Sequence, residues 1–343
     1  MSDIRSYAFI NAKVRAKRAF LLSEADYSDL CEAKNIYESL LILSRTRYKE
    51  MAERLESQTV ESIEKELHFE EIDQFLKLMK VSRGSAQNFL DALILNYDGE
   101  KLKALLRAWQ SKTPLPDSFY AGKITIDFPI SDLLSAIDLE QFIELLRDTN
   151  FYEPLKSALT PLTTRNRLFD LEIAIDKFLY LELWNLTAKM SRTDQEIVRR
   201  IVGVEIDLKN LEWIARAKKY YQLQQTELES MLIPHGYHLT KNQMRKITST
   251  GSIGDGLSRI LPGVTLPVAT ESEEIQSLSA LEIILDQALF IEANRAFLSF
   301  PLSIGSTVGY YYLAKCEMRN LKAIFNAKSY GLTPEETEAL LVR

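Results

Sequence analysis

Three long segments carry apolar side chains at the three- and four-residue spacing of amphipathic helices: Glu61–Met79, Leu168–Met190 and Leu278–Phe297. The stretch Tyr7–Leu22 predicts a first helix, with Ser23 or Asp26 placed to cap the next. Thr113-Pro114-Leu115-Pro116 and Ala121-Gly122 force the chain between Gln110 and Pro129 out of helix into a linker or surface loop. Helices resume near Ser131, with brief breaks expected at Pro154 and Pro161. Pro234-His235-Gly236-Tyr237 reads as a turn before a short helix over Leu239–Ile247. A bent or flexible stretch is predicted over Thr248–Pro267, and two further helices, parted by Phe300–Gly305, complete the chain. Ile124-Thr125-Ile126 could form a short strand but is too isolated to support a sheet. The pattern predicts an all-α protein.

One helical sequence occurs three times. Its copies begin at Lys101-Leu102-Lys103-Ala104-Leu105, Asn210-Leu211-Glu212-Trp213-Ile214 and Asn320-Leu321-Lys322-Ala323-Ile324, 109 and 110 residues apart. A second element repeats in the same order: Leu171-Glu172-Ile173-Ala174-Ile175-Asp176 matches Leu281-Glu282-Ile283-Ile284-Leu285-Asp286, and Ile63-Glu64 opens a weaker version. Thr46-Arg47-Tyr48 has a partial echo at Thr149-Asn150-Phe151. The period exceeds the ~20–50 residues of solenoid units and suits small domains. Three helical repeat domains are expected, over 1–120, 121–240 and 241–343, the first sharing helices with the C-terminal part, in a pseudo-threefold arrangement. Leu102, Leu211 and Leu321 should be buried at corresponding positions, as should Leu105, Ile214 and Ile324. Asn210 and Asn320 lie in mostly apolar helices, so both amides should find hydrogen-bond partners.

The formal charge of −6, from 42 basic and 48 acidic residues, argues against a general nucleic-acid binder. One local basic run stands out: Lys13, Arg15, Lys17 and Arg18. It reads as a solvated helix face or as a partner contact. On the second reading, Glu at Arg15 and Arg18 would weaken assembly without unfolding the protein. The glycines Gly251, Gly254 and Gly256 offer a second candidate contact, a loop able to adapt to a partner.

Neither cysteine, Cys31 or Cys316, has the spacing of a metal knuckle or redox pair. No secretory leader and no bilayer-spanning run is read, so a soluble, intracellular protein is expected. Gly251–Gly256 lacks the Lys-Ser/Thr ending of a phosphate loop. His235 and His238 have no cysteine nearby to complete a zinc site. Glu172 and Asp176 share a helical face, and Glu282 and Asp286 repeat the pair. Recurrence favours one structural salt bridge per repeat over a single magnesium site. No catalytic, cofactor or metal residue is expected.

Three passages carry a resemblance. Tyr7-Ala8-Phe9-Ile10-Asn11-Ala12-Lys13-Val14-Arg15, followed by Leu21-Leu22, is one; Asp98–Trp109 is another; Pro301–Gly305 with Glu317-Met318-Arg319-Asn320-Leu321 and Ala327-Lys328 is the third. They resemble the C subunit of V/A-type rotary ATPases, related to the d, or AC39, subunit of the vacuolar enzyme. Lys101 and Trp109 depart from the repeated pattern. The resemblance implies a funnel of three similar domains and no catalysis. It further implies a socket that seats the central shaft (D- and F-type subunits) on the membrane proteolipid ring and passes torque for proton or sodium transport. A transient contact with the membrane stator subunit belongs to the same picture. The location implied is cytoplasmic, peripheral to the membrane through the complex. On the residues alone, a helical scaffold outside rotary machines and a magnesium-dependent helical enzyme stay open.

Overall fold

A computed structural model describes residues 2–55, 59–115, 119, 125–159, 167–221, 223–250, 253–261 and 278–343. Among them every regular element is a helix, and Thr125-Ile126 forms no strand. The chain divides into two compact units, Glu61–Leu186 and the combination of Met1–Val60 with Thr187–Arg343.

From the N-terminus run α1 (Ser2–Arg18), α2 (Glu24–Glu32), α3 (Ile36–Leu43) and α4 (Lys49–Arg54). The long pair α5 (Val60–Met79) and α6 (Gly84–Ser111) follows, then the short α7 (Ile130–Leu134), α8 (Leu139–Glu144) and α9 (Tyr152–Ala158). Next come α10 (Arg167–Thr187) and α11 (Arg192–Arg216), the latter continued by a π-helical turn over Ala217–Tyr221. Short α12 (Gln225–Met231), α13 (Lys241–Thr250) and α14 (Ile253–Ile260) precede α15 (Leu278–Phe297), α16 (Gly305–Tyr330) and α17 (Pro334–Glu338).

Local chemistry sets many of these boundaries. Ser23 and Asp26 form a reciprocal capping box at the start of α2, so both expected capping residues take part. Asn35, Asp138 and Ser191 cap α3, α8 and α11 through their side chains. Pro154 does not break the chain as expected. It sits in the first turn of α9, where a helix N–H has no intrahelical acceptor to lose. The short α17, opened by a Thr333–Glu336 capping box with Pro334 in its first turn, is a helix that apolar spacing did not announce. Helices α15 and α16 pack backbone to backbone at Gly309, where an added Cβ would stand 2.5 Å from the Phe297 nitrogen.

The three copies of the repeated helix have equivalent interiors. Leu102, Leu211 and Leu321 are each fully buried, and so, within 1% exposure, are Leu105, Ile214 and Ile324. Asn210 and Asn320 do more than find partners. Asn210 donates to the Ile233 carbonyl at 2.9 Å and accepts from the Ile233 N–H at 2.8 Å. Asn320 makes the same two-way clamp on Val342, at 2.8 and 2.9 Å. Alanine at either position strands a buried N–H and C=O, at an expected cost of ~2 kcal/mol in denaturant unfolding. Unchanged midpoints in both variants would contradict the clamp.

Three positions before each asparagine, or its counterpart Lys101, stands a buried acid: Asp98, Asp207 and Glu317. Each accepts a backbone N–H from an incoming segment. Asp98 takes Ile126 at 3.2 Å and Thr125 at 3.4 Å. Asp207 takes His238 at 2.6 Å and Leu239 at 3.2 Å. Glu317 takes Leu22 at 2.5 Å, from the opposite end of the chain. Copies one and two are therefore closed by residues about thirty positions downstream, and copy three by the N-terminal segment.

That closure explains the Thr46 echo. Thr46 Oγ1 donates to the Leu43 carbonyl and accepts from the Tyr48 N–H; Thr149 does the same between Leu146 and Phe151. Tyr48 and Phe151 are both fully buried. The segments beginning at Leu22 and Thr125 thus share one threonine-centred turn and a buried aromatic after it.

Candidate assembly surfaces

The repeated carboxylates are occupied by cations of the chain itself. Glu172 pairs with Arg107 at 2.5 Å, and its equivalent Glu282 pairs with Arg216 at 3.0 Å. Asp176 meets Lys103 at 2.7 Å in a fully packed pair, and Asp286 meets Arg319. Arg107 and Arg216 are themselves repeat equivalents, so the Arg–Glu bridge recurs in copies one and two as the spacing predicted. These acids hold helices together. Burial, with Arg199 adding to it, lowers the His235 imidazole, and burial likewise lowers His238. Cys31 and Cys316 are free and buried, and burial pushes the Cys316 thiol up to about 12.

The basic run of α1 divides into two roles. Arg18 donates to Asn294 Oδ1 at 2.8 Å, and its guanidinium lies 4.3 Å from the centre of the Phe297 ring. Arg15 lies 5.4 Å from that same ring and reaches Ser306 at 3.4 Å. Burial, then the charge of Arg15, pulls the Arg18 guanidinium below its ordinary value. Both arginines therefore hold α1 on α15 and α16. Glu at Arg15 and Arg18 would disturb these contacts, so the pair is no clean probe of a surface. Lys13 and Lys17 are half-buried.

The two ends of the chain meet here. The buried Asn11 amide donates to the carbonyls of Pro301 and, at 3.0 Å, Ser303. Asp194 at the start of α11 accepts from the Tyr7 hydroxyl at 2.9 Å and the Ile304 N–H at 2.8 Å. Residues of the opening and closing motifs thus build one junction.

The glycine stretch differs from expectation. Gly251 and Gly263 lie outside the described residues, while Gly254 and Gly256 sit inside α14. An added Cβ at Gly256 would fall 2.7 Å from a Leu211 methyl, so this glycine lets α14 approach α11. Helical packing, not a free loop, is its described role.

A different surface escaped the sequence reading. Between α15 and α16 the chain exposes Leu298 at 70%, Phe300 at 57% and Leu302 at 38%, while Phe9 on α1 is 63% exposed. Ser299 and Ser303 donate their hydroxyls to the backbone carbonyls of Ala296 and Phe300. Such runs of Leu and Phe read as core in a sequence, and only their place at a helix break could have signalled otherwise. Clustered exposed apolar side chains mark contact sites more often than isolated ones do.

A profile of the family described as "ATP synthase (C/AC39) subunit" matches residues 10–340. The chain belongs to this family. It is also similar to the C subunit of the A-type ATP synthase of Methanocaldococcus jannaschii, 26% identical over 351 residues that cover 99% of this chain and 87% of that protein. The protein of the same description from Pyrococcus abyssi is 24% identical over 339 residues, covering 98% of this chain and 90% of that protein. That of Desulfurococcus sp. is 26% identical over 337 residues, covering 97% and 90%. Membership in the C/AC39 family makes the chain a non-catalytic subunit of a V/A-type ATPase or ATP synthase. Among the described residues no helix is long and apolar enough to cross a membrane.

Proposed function

We propose that this C/AC39 protein is the central rotor adaptor of its complex. It would seat the shaft subunits on the proteolipid ring and carry torque between ATP turnover and ion movement, on the cytoplasmic side of the membrane. The observation that carries the proposal is the family match along nearly the whole chain. The repeat supports it, because three related helical copies, each joined by a buried acid to an incoming segment, suit a shaped part without catalysis of its own.

The three domains we propose each centre on one copy of the repeated helix. Copy one takes the segment from Thr125 onward and copy two the segment from His235 onward, while copy three is completed by residues 22–54. The exposed Leu298–Leu302 tip is assigned to assembly with a neighbouring protein of the complex. Capture of this chain from gently solubilised membranes tests the role. Ring and shaft subunits should come with it in fixed ratio. Recovery of the chain alone, or with only non-ATPase proteins, would contradict the adaptor role.

A further inference from the structure

The three buried acids of the repeat are not compensated alike. Glu317 faces the Arg47 guanidinium at 2.9 Å and the Tyr48 hydroxyl at 2.5 Å in addition to Leu22 N–H. Asp98 accepts from the Thr125 hydroxyl as well as from two backbone N–H groups. Asp207 is fully buried and has only backbone donors, both on Oδ2, while Oδ1 has no hydrogen-bond partner.

The charged and titratable groups around it are committed elsewhere. On α11, Arg200 pairs with Glu292 of α15 at 2.7 Å, and Lys209 pairs with Glu212 at 2.8 Å. Glu205 accepts from Tyr312 of α16 at 2.6 Å. In the turn itself, the Tyr237 ring lies under Arg200, and His235 and His238 are both pushed toward their neutral forms by burial. Arg199, which bears on His235, donates to Thr187 Oγ1 at 2.9 Å, and Arg245 beside the turn pairs with Glu229 at 3.0 Å. Among the described residues no cation pairs with Asp207, and burying an unpaired carboxylate is costly.

The turn is built around that carboxyl. Gly236 is required there, because a Cβ would collide with Asp207 Oδ1. His235 takes a left-handed backbone with φ 78°, a conformation that a non-glycine residue holds only when its surroundings impose it. Beside the turn, residues that include Asn210, Ile233, Leu239 and Met244 line a partly open cavity of about 380 Å³.

We propose that Asp207 is a proton latch on the 235–239 turn: carrying its proton it holds the turn on α11, and losing the proton loosens the turn. Burial pushes this carboxyl up to about 7, against the pull of the His238 and Leu239 N–H groups. An open chain releases the same proton near pH ~4. The closed turn therefore binds the proton more tightly than the open turn. Its extra stability is complete below pH ~4 and is lost as pH rises through about 7. The neighbouring Asn210 clamp carries no titrating group, since an amide does not titrate in this range.

Amide hydrogen exchange on the full chain, from pH 5 to 8, tests the latch. Protection factors at His238 and Leu239, corrected for intrinsic exchange, should fall at least tenfold between pH 5 and 7 and then level off. Protection at Ile233, held by Asn210 in the same turn, should stay flat across that range. Asp207→Asn keeps an acceptor for the two N–H groups without an ionisable proton, so its His238 and Leu239 profiles should be flat and exceed wild type above neutrality. Should that variant fail to fold, the wild-type carboxyl carbon signal of Asp207, followed by NMR, reports the same event and should titrate near neutrality. A flat wild-type profile, a profile shared by Asp207→Asn and wild type, or an Asp207 carboxyl titrating near pH ~4 would each overturn the latch.

Discussion

Alanine at Glu317 is expected to destabilise the chain by ~3–5 kcal/mol, the range for breaking a buried ion pair on one side only. The substitution strands three groups at once. Arg47, whose side chain is 11% exposed, loses its 2.9 Å partner, and the Tyr48 hydroxyl and Leu22 N–H lose their acceptor. Leu22 and Tyr48 belong to the N-terminal segment that closes the third repeat, so the damage should include release of residues 22–54 from α16. Glutamine at the same position keeps an acceptor for Leu22 and should recover part of the loss. Urea melts of the three proteins, with proteolysis between Leu22 and Arg54 as a local readout, measure both effects. An alanine variant within ~0.5 kcal/mol of wild type, the range of ordinary surface changes, would contradict the closure of copy three by the N-terminus.

Serine at Leu298 and Phe300 together is expected to leave folding intact and to remove the chain from its complex. Their exposures of 70% and 57% mean that little internal packing is lost, and surface changes of this kind stay within ~0.5 kcal/mol. At an interface a handful of well-packed anchors carry ~2 kcal/mol or more each, so loss of one such anchor at this tip should lower co-purification of partner subunits more than tenfold. Circular dichroism and melting on the variant, beside quantified capture from membranes, separate the two outcomes. Normal capture of ring and shaft by the folded variant would remove this tip from the assembly surface.

The fold class and the repeat were legible because both depend on periodic burial. The leucines at Leu102, Leu211 and Leu321 mark equivalent core positions whatever their partners are. The structural role of the repeated acids could be read from recurrence, since a site used once gains nothing from being copied, but their partners Arg107 and Arg216 could not. The buried acids were not singled out, although Asp98, Asp207 and Glu317 stand at the repeat spacing. An Asp or Glu in a helix reads as surface, and its burial depends on donors from a segment that periodicity cannot place. Closure of the third copy by Leu22 in particular was hidden for the same reason; its visible traces were the Thr46–Thr149 echo and the expectation that the first domain shares helices with the C-terminal part. Among the candidate contacts, Arg15 and Arg18 were legible as a patch but not as internal props, because Phe297 and Asn294 lie almost a chain length away in sequence. Gly256 was read as conformational freedom, whereas its missing Cβ admits Leu211.

The adaptor role is tested most directly by rebuilding the rotary complex with and without this chain in sealed vesicles. Without it, the soluble head should still hydrolyse ATP while ATP-driven ion uptake is lost, and one copy of the chain per complex should restore uptake. Ion uptake that persists at full rate in the complex lacking this chain would contradict the account.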